Sequence, residues 1–217
     1  MEKRAFKDSI YTAIAGLAKA FGHANRLEIL DLLANGEKTV EQIATQTAIT
    51  VANASQHLQL LKNARLVKAR REGNFIFYTI NGRKAYAAWQ ALRNLALEAE
   101  PAVQVTLRQF RQEAGSPQSR TLEDLPDNDR ALLLDVRPAD EFAAGHLQNA
   151  LSIPIQELSE RLGELPRHLT IITYCRGPFC TFADEAVQLL KANGFDAVRL
   201  EETYLDHKLL TEESWNN

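Results

Sequence analysis

Thr170-Ile-Ile-Thr-Tyr-Cys175-Arg-Gly-Pro-Phe-Cys180-Thr-Phe-Ala-Asp-Glu-Ala-Val-Gln-Leu-Leu190 changes periodicity partway along its length. Residues 169–174 form an apolar, β-branched run of the length of a buried strand. Ala183, Ala186, Val187 and Leu190 then recur at the spacing that lines one face of a helix. Between the two lies a loop that opens and closes with cysteine. A thiol on such a loop faces unpaired backbone N–H groups and the positive end of the helix dipole, which favour thiolate over thiol. Arg176 adds a positive charge beside Cys175. The chain has only two cysteines, and both are here. Most free cysteines are small buried hydrophobes, but two isolated thiols sharing one strand–loop–helix turn point to chemistry.

The bulk properties frame this loop. The chain has 217 residues, enough for one large or two small domains. It is 45% hydrophobic and 24% charged, the composition of an ordinary globular protein. No apolar run approaches a membrane span, and Met1-Glu-Lys-Arg is not followed by a signal core. A cytoplasmic protein with no membrane partner is therefore expected. In a reducing compartment, neighbouring cysteines are more plausibly redox or catalytic groups than a staple. Residues 1–115 carry 16 Lys and Arg against 10 Asp and Glu, and residues 116–217 carry 9 against 18. A basic half joined to an acidic half predicts two domains with different partners.

In the basic half, residues 6–20 read as an amphipathic helix striped by Phe6, Ile10, Ile14, Leu17 and Ala18. A second helix is expected over residues 20–33, stopped by Asn35-Gly36. Thr39 caps a short helix over residues 40–46, and Thr50 caps a longer one over residues 51–64. Two helices joined by a brief polar turn fit helix-turn-helix geometry. Period-two patterning over residues 67–80, broken at Glu72-Gly73-Asn74, reads as a β-hairpin. Thr50, Asn53, Ser55 and Gln56 supply hydroxyls and amides suited to base edges and phosphates, and Lys68, Arg70 and Arg71 supply hairpin cations for a DNA backbone. A long helix follows over residues 83–113, broken at Pro101.

Arg26-Leu-Glu-Ile-Leu-Asp-Leu-Leu, Ser55-Gln-His-Leu-Gln-Leu-Leu-Lys-Asn-Ala-Arg-Leu-Val67 and the wing Arg71-Glu-Gly-Asn through Tyr78 resemble the ArsR/SmtB family of bacterial repressors over about residues 6–98. The resemblance implies a winged-helix homodimer paired through its first and last helices. It also implies double-stranded operator DNA as partner, with the helix after Thr50 in the major groove and Asn53, Ser55 and Gln56 as contacts. His57 matches a common family histidine and is read as packing. Where many members carry a Cys-x-Cys metal site, this chain has Thr39-Val-Glu-Gln. Its five histidines (His23, His57, His146, His168, His207) lack ligand spacing. No metal or other cofactor is expected, so the detector must lie elsewhere.

After a small, polar linker at residues 114–120, strand and helix patterns alternate from residue 121 onward, which implies an α/β domain with a mostly parallel sheet. Leu134-Asp-Val-Arg137, Glu141-Phe-Ala-Ala-Gly-His through Pro154, and Tyr174-Cys-Arg-Gly-Pro-Phe-Cys180 resemble the rhodanese family over about residues 120–200. The resemblance implies a sulfurtransferase site. Cys175 would take sulfane sulfur as a persulfide from a small donor such as thiosulfate or polysulfide, cradled by Arg176, Gly177, Pro178, Phe179 and Cys180. Asp135 and Arg137 are read as structural supports. Two positions depart from the family: Cys180 stands where many rhodaneses end the loop with a cation, and Glu201-Glu202 replaces a glycine pair. A second thiol there suits a resolving role.

The expected organisation is thus a mainly α winged helix-turn-helix, DNA-binding and dimerising, over residues 1–113, followed by a rhodanese-like α/β domain over residues 121–217. The expected function is an ArsR-type regulator that senses or transfers reactive sulfur through Cys175. A sulfurtransferase with an accessory DNA-binding domain is the alternative, and whether the chain is an enzyme is left open. An inactive docking module is a third reading. Phosphatase or arsenate reductase chemistry is disfavoured, because those loops place arginine six positions after the cysteine and here that residue is Thr181.

Overall fold

The computed structural model describes residues 2–116, 118–121, 123 and 130–211, excepting the side chains of 210 and 211. Packing divides the chain between Ala91 and Leu92, inside a helix, rather than at the expected linker.

The first unit begins with α1 (Lys3–Phe21) and α2 (Ala24–Ala34). The sequence reading started the second helix at residue 20, but α1 continues to Phe21 and the chain breaks at Gly22–His23. Arg26 explains the extension: its guanidinium donates to Ala20 O at 2.6 Å and Lys19 O at 2.8 Å, satisfying the last carbonyls of α1. Only Ala20 of α1 is buried, so Phe6, Ile10, Ile14 and Leu17 stand exposed along one stripe.

Thr39 ends the two-residue strand β1 (Lys38–Thr39) and starts α3 (Val40–Gln46) with a capping box. Its hydroxyl accepts from Gln42 N, and the Gln42 side chain accepts from Thr39 N. Thr50 caps α4 (Val51–Asn63), which buries Ala54, Leu58 and Leu61. The antiparallel wing is β2 (Val67–Glu72) and β3 (Phe75–Ile80), with Gly73 at φ +57° in its turn, and β1 adds to the far edge of β3. In α5 (Gly82–Ala99), Tyr86 and Trp89 are buried and the Trp89 indole donates to Asp31 at 3.1 Å.

The second unit takes the end of α5 and α6 (Pro101–Glu113), whose first turn is capped by the Glu100 carboxylate. Its sheet runs β4 (Ser119–Arg120), β8 (Ala197–Leu200), β7 (Thr170–Tyr174), β5 (Ala131–Asp135), β6 (Leu151–Ser152), and all described pairings are parallel. β4 falls within the expected linker, which is therefore partly sheet. Helices α7 (Ala139–Ala144), α8 (Ile155–Leu158) and α9 (Phe182–Ala192) connect the strands. Helix α8 stops at Leu158, and a 3₁₀ turn covers Leu162–Glu164. A last helix, α10 (Tyr204–Thr211), was not foreseen. The sheet has a core on each face: Ile171 joins one cluster with Leu134, Val187 and Leu190, while its neighbour Ile172 joins the other with Leu147, Tyr174 and Val198. Cys175 follows β7 at the carboxyl edge of this sheet, where ligand sites on parallel sheets form.

Gly145 closes α7 at φ +156°, and a Cβ there would lie 2.3 Å from Tyr204 Cε1. Gly145→Ala is expected to destabilise the second unit by about 3 kcal/mol, from backbone strain and overpacking. Calorimetry should show one transition moving to lower temperature. Adding Tyr204→Ala should restore only part of it, and an unshifted single variant would contradict the packing described.

Candidate functional site

The DNA-facing candidates lie in the first unit. The Thr50 hydroxyl accepts from Asn53 N at 3.2 Å, so it serves the helix start, while the side chains of Asn53, Ser55 and Gln56 are exposed on α4. Strand alternation places Lys68 and Arg70 on one face of the wing and Arg71 on the other. All three are exposed, but they are not equivalent. Arg70 donates to Glu37 Oε2 at 2.7 Å, pairs with Glu72 and covers the Phe77 ring, so a phosphate would have to displace two carboxylates. Arg71 donates from Nε to Gly73 O at 3.2 Å. The His57 ring lies 4.5 Å from that of His23, and burial followed by the charges of His23 and Arg26 holds its imidazole below the ordinary histidine range. A neutral, packed ring fits its place against the core of α4.

In the second unit the cysteine loop is assembled from four directions. Cys175 is buried and Cys180 partly so, and both are free thiols. The loop is tight: Cys180 N donates to Gly177 O at 3.2 Å, and Cys175 Sγ lies 3.5 Å from Cys180 O. Gly177 has φ +141°, and a Cβ there would sit 3.0 Å from Thr203 Cγ2 and 3.6 Å from Arg93 Nη1. Phe179 points outward, 40% exposed. Arg176 does not reach into solvent; its fork grips the buried Glu141 of α7 at 2.7–3.1 Å and lies over the Phe182 ring. Asp135 and Arg137 form a buried pair at 2.6 Å, and Arg137 also donates to Gly145 O at 2.8 Å, tying the end of β5 to the end of α7.

Three further attachments were missed by sequence reasoning. Arg199, in the middle of β8, pairs with Asp184 of α9 at 2.6 Å and donates to Gly177 O at 3.3 Å. Arg111 of α6 makes a fork to Glu201 at 2.6 and 2.9 Å, and its Nη2 lies 3.4 Å from Pro178 O. Arg93 pairs with Asp206 at 2.7 Å. One signal was readable: an arginine inside the apolar run Ala-Val-Arg-Leu must be paired if the strand is buried. The partners, 15 to 113 residues distant, were not.

The thiols divide their proton unequally. Burial, then hydrogen bonding and charge from Cys180, pushes Cys175 well above the ordinary thiol range, against opposing pulls from Arg199 and the Gly177 backbone. Cys180 is lowered to about 7, first by the hydrogen bond from the Cys175 thiol, then by the backbone amides of Arg176 and Phe182 and the Arg176 charge. The sequence reading gave the low-pKa role to Cys175. At rest, burial favours the protonated form of Cys175, while the backbone N–H groups of Arg176 and Phe182 favour the Cys180 thiolate.

Known proteins resemble both units. The model of the arsR family of bacterial regulatory proteins matches residues 23–69, and that of the rhodanese-like domain matches residues 119–204. The HTH-type transcriptional regulator Rv0324 of Mycobacterium tuberculosis is 38% identical over 94% of this chain and 90% of its own length. The homodimeric winged helix-turn-helix DNA-binding domain of Mb0332 from Mycobacterium bovis, solved in solution, is 38% identical over 47% of this chain and 93% of that one, with a TM-score of 0.43. A rhodanese-related protein of Thermoplasma volcanium is 28% identical over 42% of this chain and 92% of that one, with a TM-score of 0.37. With the winged helix and the parallel-sheet cysteine loop both in place, the chain belongs to the ArsR family of HTH-type transcriptional regulators and carries a C-terminal rhodanese-like domain.

Proposed function

We propose that this regulator binds its operator as a cytoplasmic homodimer and that its rhodanese-like domain detects reactive sulfur through Cys175 and Cys180. The observation that carries the sulfur reading is that the chain's only two thiols share one loop at the carboxyl edge of the parallel sheet. Cys175 gives its proton to Cys180 and attacks the outer sulfur of thiosulfate. The sulfur–sulfur bond breaks, sulfite leaves with the electron pair, and Cys175 holds a persulfide. Polysulfide serves in the same way, with a shorter polysulfide leaving. Cys180, once deprotonated again, attacks Cys175 Sγ and expels hydrosulfide, so that a Cys175–Cys180 disulfide forms. The two thiols are oxidised and the sulfane sulfur is reduced. The exposed amides of α4 and the wing cations supply the operator contacts. The exposed α1 stripe of Phe6, Ile10, Ile14 and Leu17 is the first of the two surfaces that pair the copies.

Intact-mass measurement after thiosulfate or polysulfide exposure should show gains in steps of one sulfur, absent in Cys175→Ser. Cys180→Ser should retain the added sulfur and form no disulfide. Equal gains in Cys175→Ser would remove the assignment. Because Cys180 acts as base, the rate of sulfur capture should fall about tenfold for each pH unit below 7 in the wild type.

Operator gel shifts should separate reduced from sulfur-treated wild type by at least about fivefold in affinity, with no difference in Cys175→Ser. Equal affinities throughout would rule out sensing while leaving a sulfur-transferring enzyme.

On the DNA side, Gln56→Ala is expected to cost about 1–3 kcal/mol on the cognate operator. Lys68→Ala should reduce the salt slope of binding by about one. Arg70→Ala should change it less, since Arg70 is already neutralised by Glu37 and Glu72. A larger effect at Arg70 than at Lys68 would show that DNA displaces those carboxylates.

A further inference from the structure

The buried pair under the cysteine loop is incompletely satisfied. Arg199 and Asp184 are each 1% exposed, yet Arg199 Nε and Asp184 Oδ1 have no hydrogen-bond partner. An ion pair removed from water contributes little net stability, and unsatisfied polar atoms make it costly. Apolar side chains of similar volume would complete this core at least as well. What the pair does instead is aim charge at the loop. Arg199 Nη1 holds Asp184 in the first turn of α9, and Nη2 holds the carbonyl of Gly177, two residues beyond Cys175. The loop's other arginine, Arg176, is committed to Glu141, and the loop ends in Cys180, an uncharged or anionic group.

We propose that Arg199 is a positioning residue for sulfur chemistry at Cys175, fixing the loop through Gly177 O and setting a buried positive charge beside the sulfur. Asp184 is the counterweight that limits how strongly this charge acts. The direction of the electrostatic influence of Arg199 on Cys175, toward the thiolate, agrees. The proposal rests on Cys175 being the sulfur-accepting thiol.

Two nearly isosteric changes separate charge from mere scaffolding. In full-length protein carrying Cys180→Ser, so that Cys175 is the only thiol, the pH profile of alkylation by iodoacetamide reports the thiolate. Arg199→Met should raise the midpoint by about one unit or more, slowing alkylation about tenfold at neutral pH. Arg199→Lys should bring the midpoint back toward the reference value. Asp184→Asn should lower it, because the guanidinium is then unopposed. A scaffolding role would leave the midpoints in place or move both neutralising variants the same way, and either result overturns the proposal. Should Arg199→Met fail to fold, the opposite directions expected of Asp184→Asn and Arg199→Met reduce to one decisive sign: a midpoint in Asp184→Asn that rises or stays put overturns it. Sulfur uptake from thiosulfate is measured by mass in parallel. Wild type that takes no sulfur on Cys175 overturns the sulfur reading and the proposal with it, whereas normal uptake with unshifted midpoints overturns the Arg199 role alone.

Discussion

The carboxyl edge of the parallel sheet is held by arginines that have been taken out of water. Arg137 pairs with Asp135, Arg176 with Glu141 and Arg199 with Asp184, and all six side chains are buried. Removing one partner of such a pair strands a charge in a medium that cannot solvate it, a loss of about 3–5 kcal/mol. Keeping the pair gives little net stability over apolar packing, so its value lies in geometry. Each fork has a fixed shape and fixes two segments at once: Arg137 joins β5 to the end of α7, Arg176 joins the loop to α7, and Arg199 joins the loop to α9. The cysteine loop is thereby tied to two buried ion pairs, through Arg176 and through the carbonyl of Gly177.

That buried setting bears on the two thiols differently. A thiolate at Cys175 must be stabilised from within a buried site, whereas Cys180 collects the amides of Arg176 and Phe182 and the hydrogen bond of Cys175 itself. The two groups titrate as a pair, and the loss of its first proton belongs to both. Sequence spacing placed both thiols in one strand–loop–helix turn. It could not say which sulfur the backbone N–H groups would meet, since a turn of a few degrees in the loop redirects them.

Local signals were legible wherever the physics is local. Thr39, Thr50, Gly73 and Pro101 each specify a cap or turn through neighbours within a few residues, and those elements start or stop within about one residue of the expected places. The end of α1 was misread because its cap comes from the side chain of Arg26, across the helix break. β1 and β4, each two residues long, exist only through pairing with β3 and β8, and no periodicity can be read from two residues. Asp135 and Arg137 were legible as a pair because they are two residues apart. Glu141, Asp184 and Glu201 were not recognised as partners, because only the closed fold brings them to Arg176, Arg199 and Arg111.

The positions that depart from the rhodanese pattern make sense together once their partners are known. A glycine at position 201 would leave Arg111 without its carboxylate; the glutamate present there draws the guanidinium of α6 to within 3.4 Å of Pro178 O. At position 180 a thiol stands in place of a cation, close to Cys175, while Arg176 is held by Glu141. Glu201 exchanges a local feature near the loop for a link to a distant element. The loop thereby depends on α6 and β8 for its shape and charge, and a change of covalent state at Cys175 must be accommodated by the Gly177 and Pro178 carbonyls that Arg199 and Arg111 hold. A buried site held by ion pairs does not deform gradually, since moving one carbonyl leaves a buried guanidinium short of an acceptor.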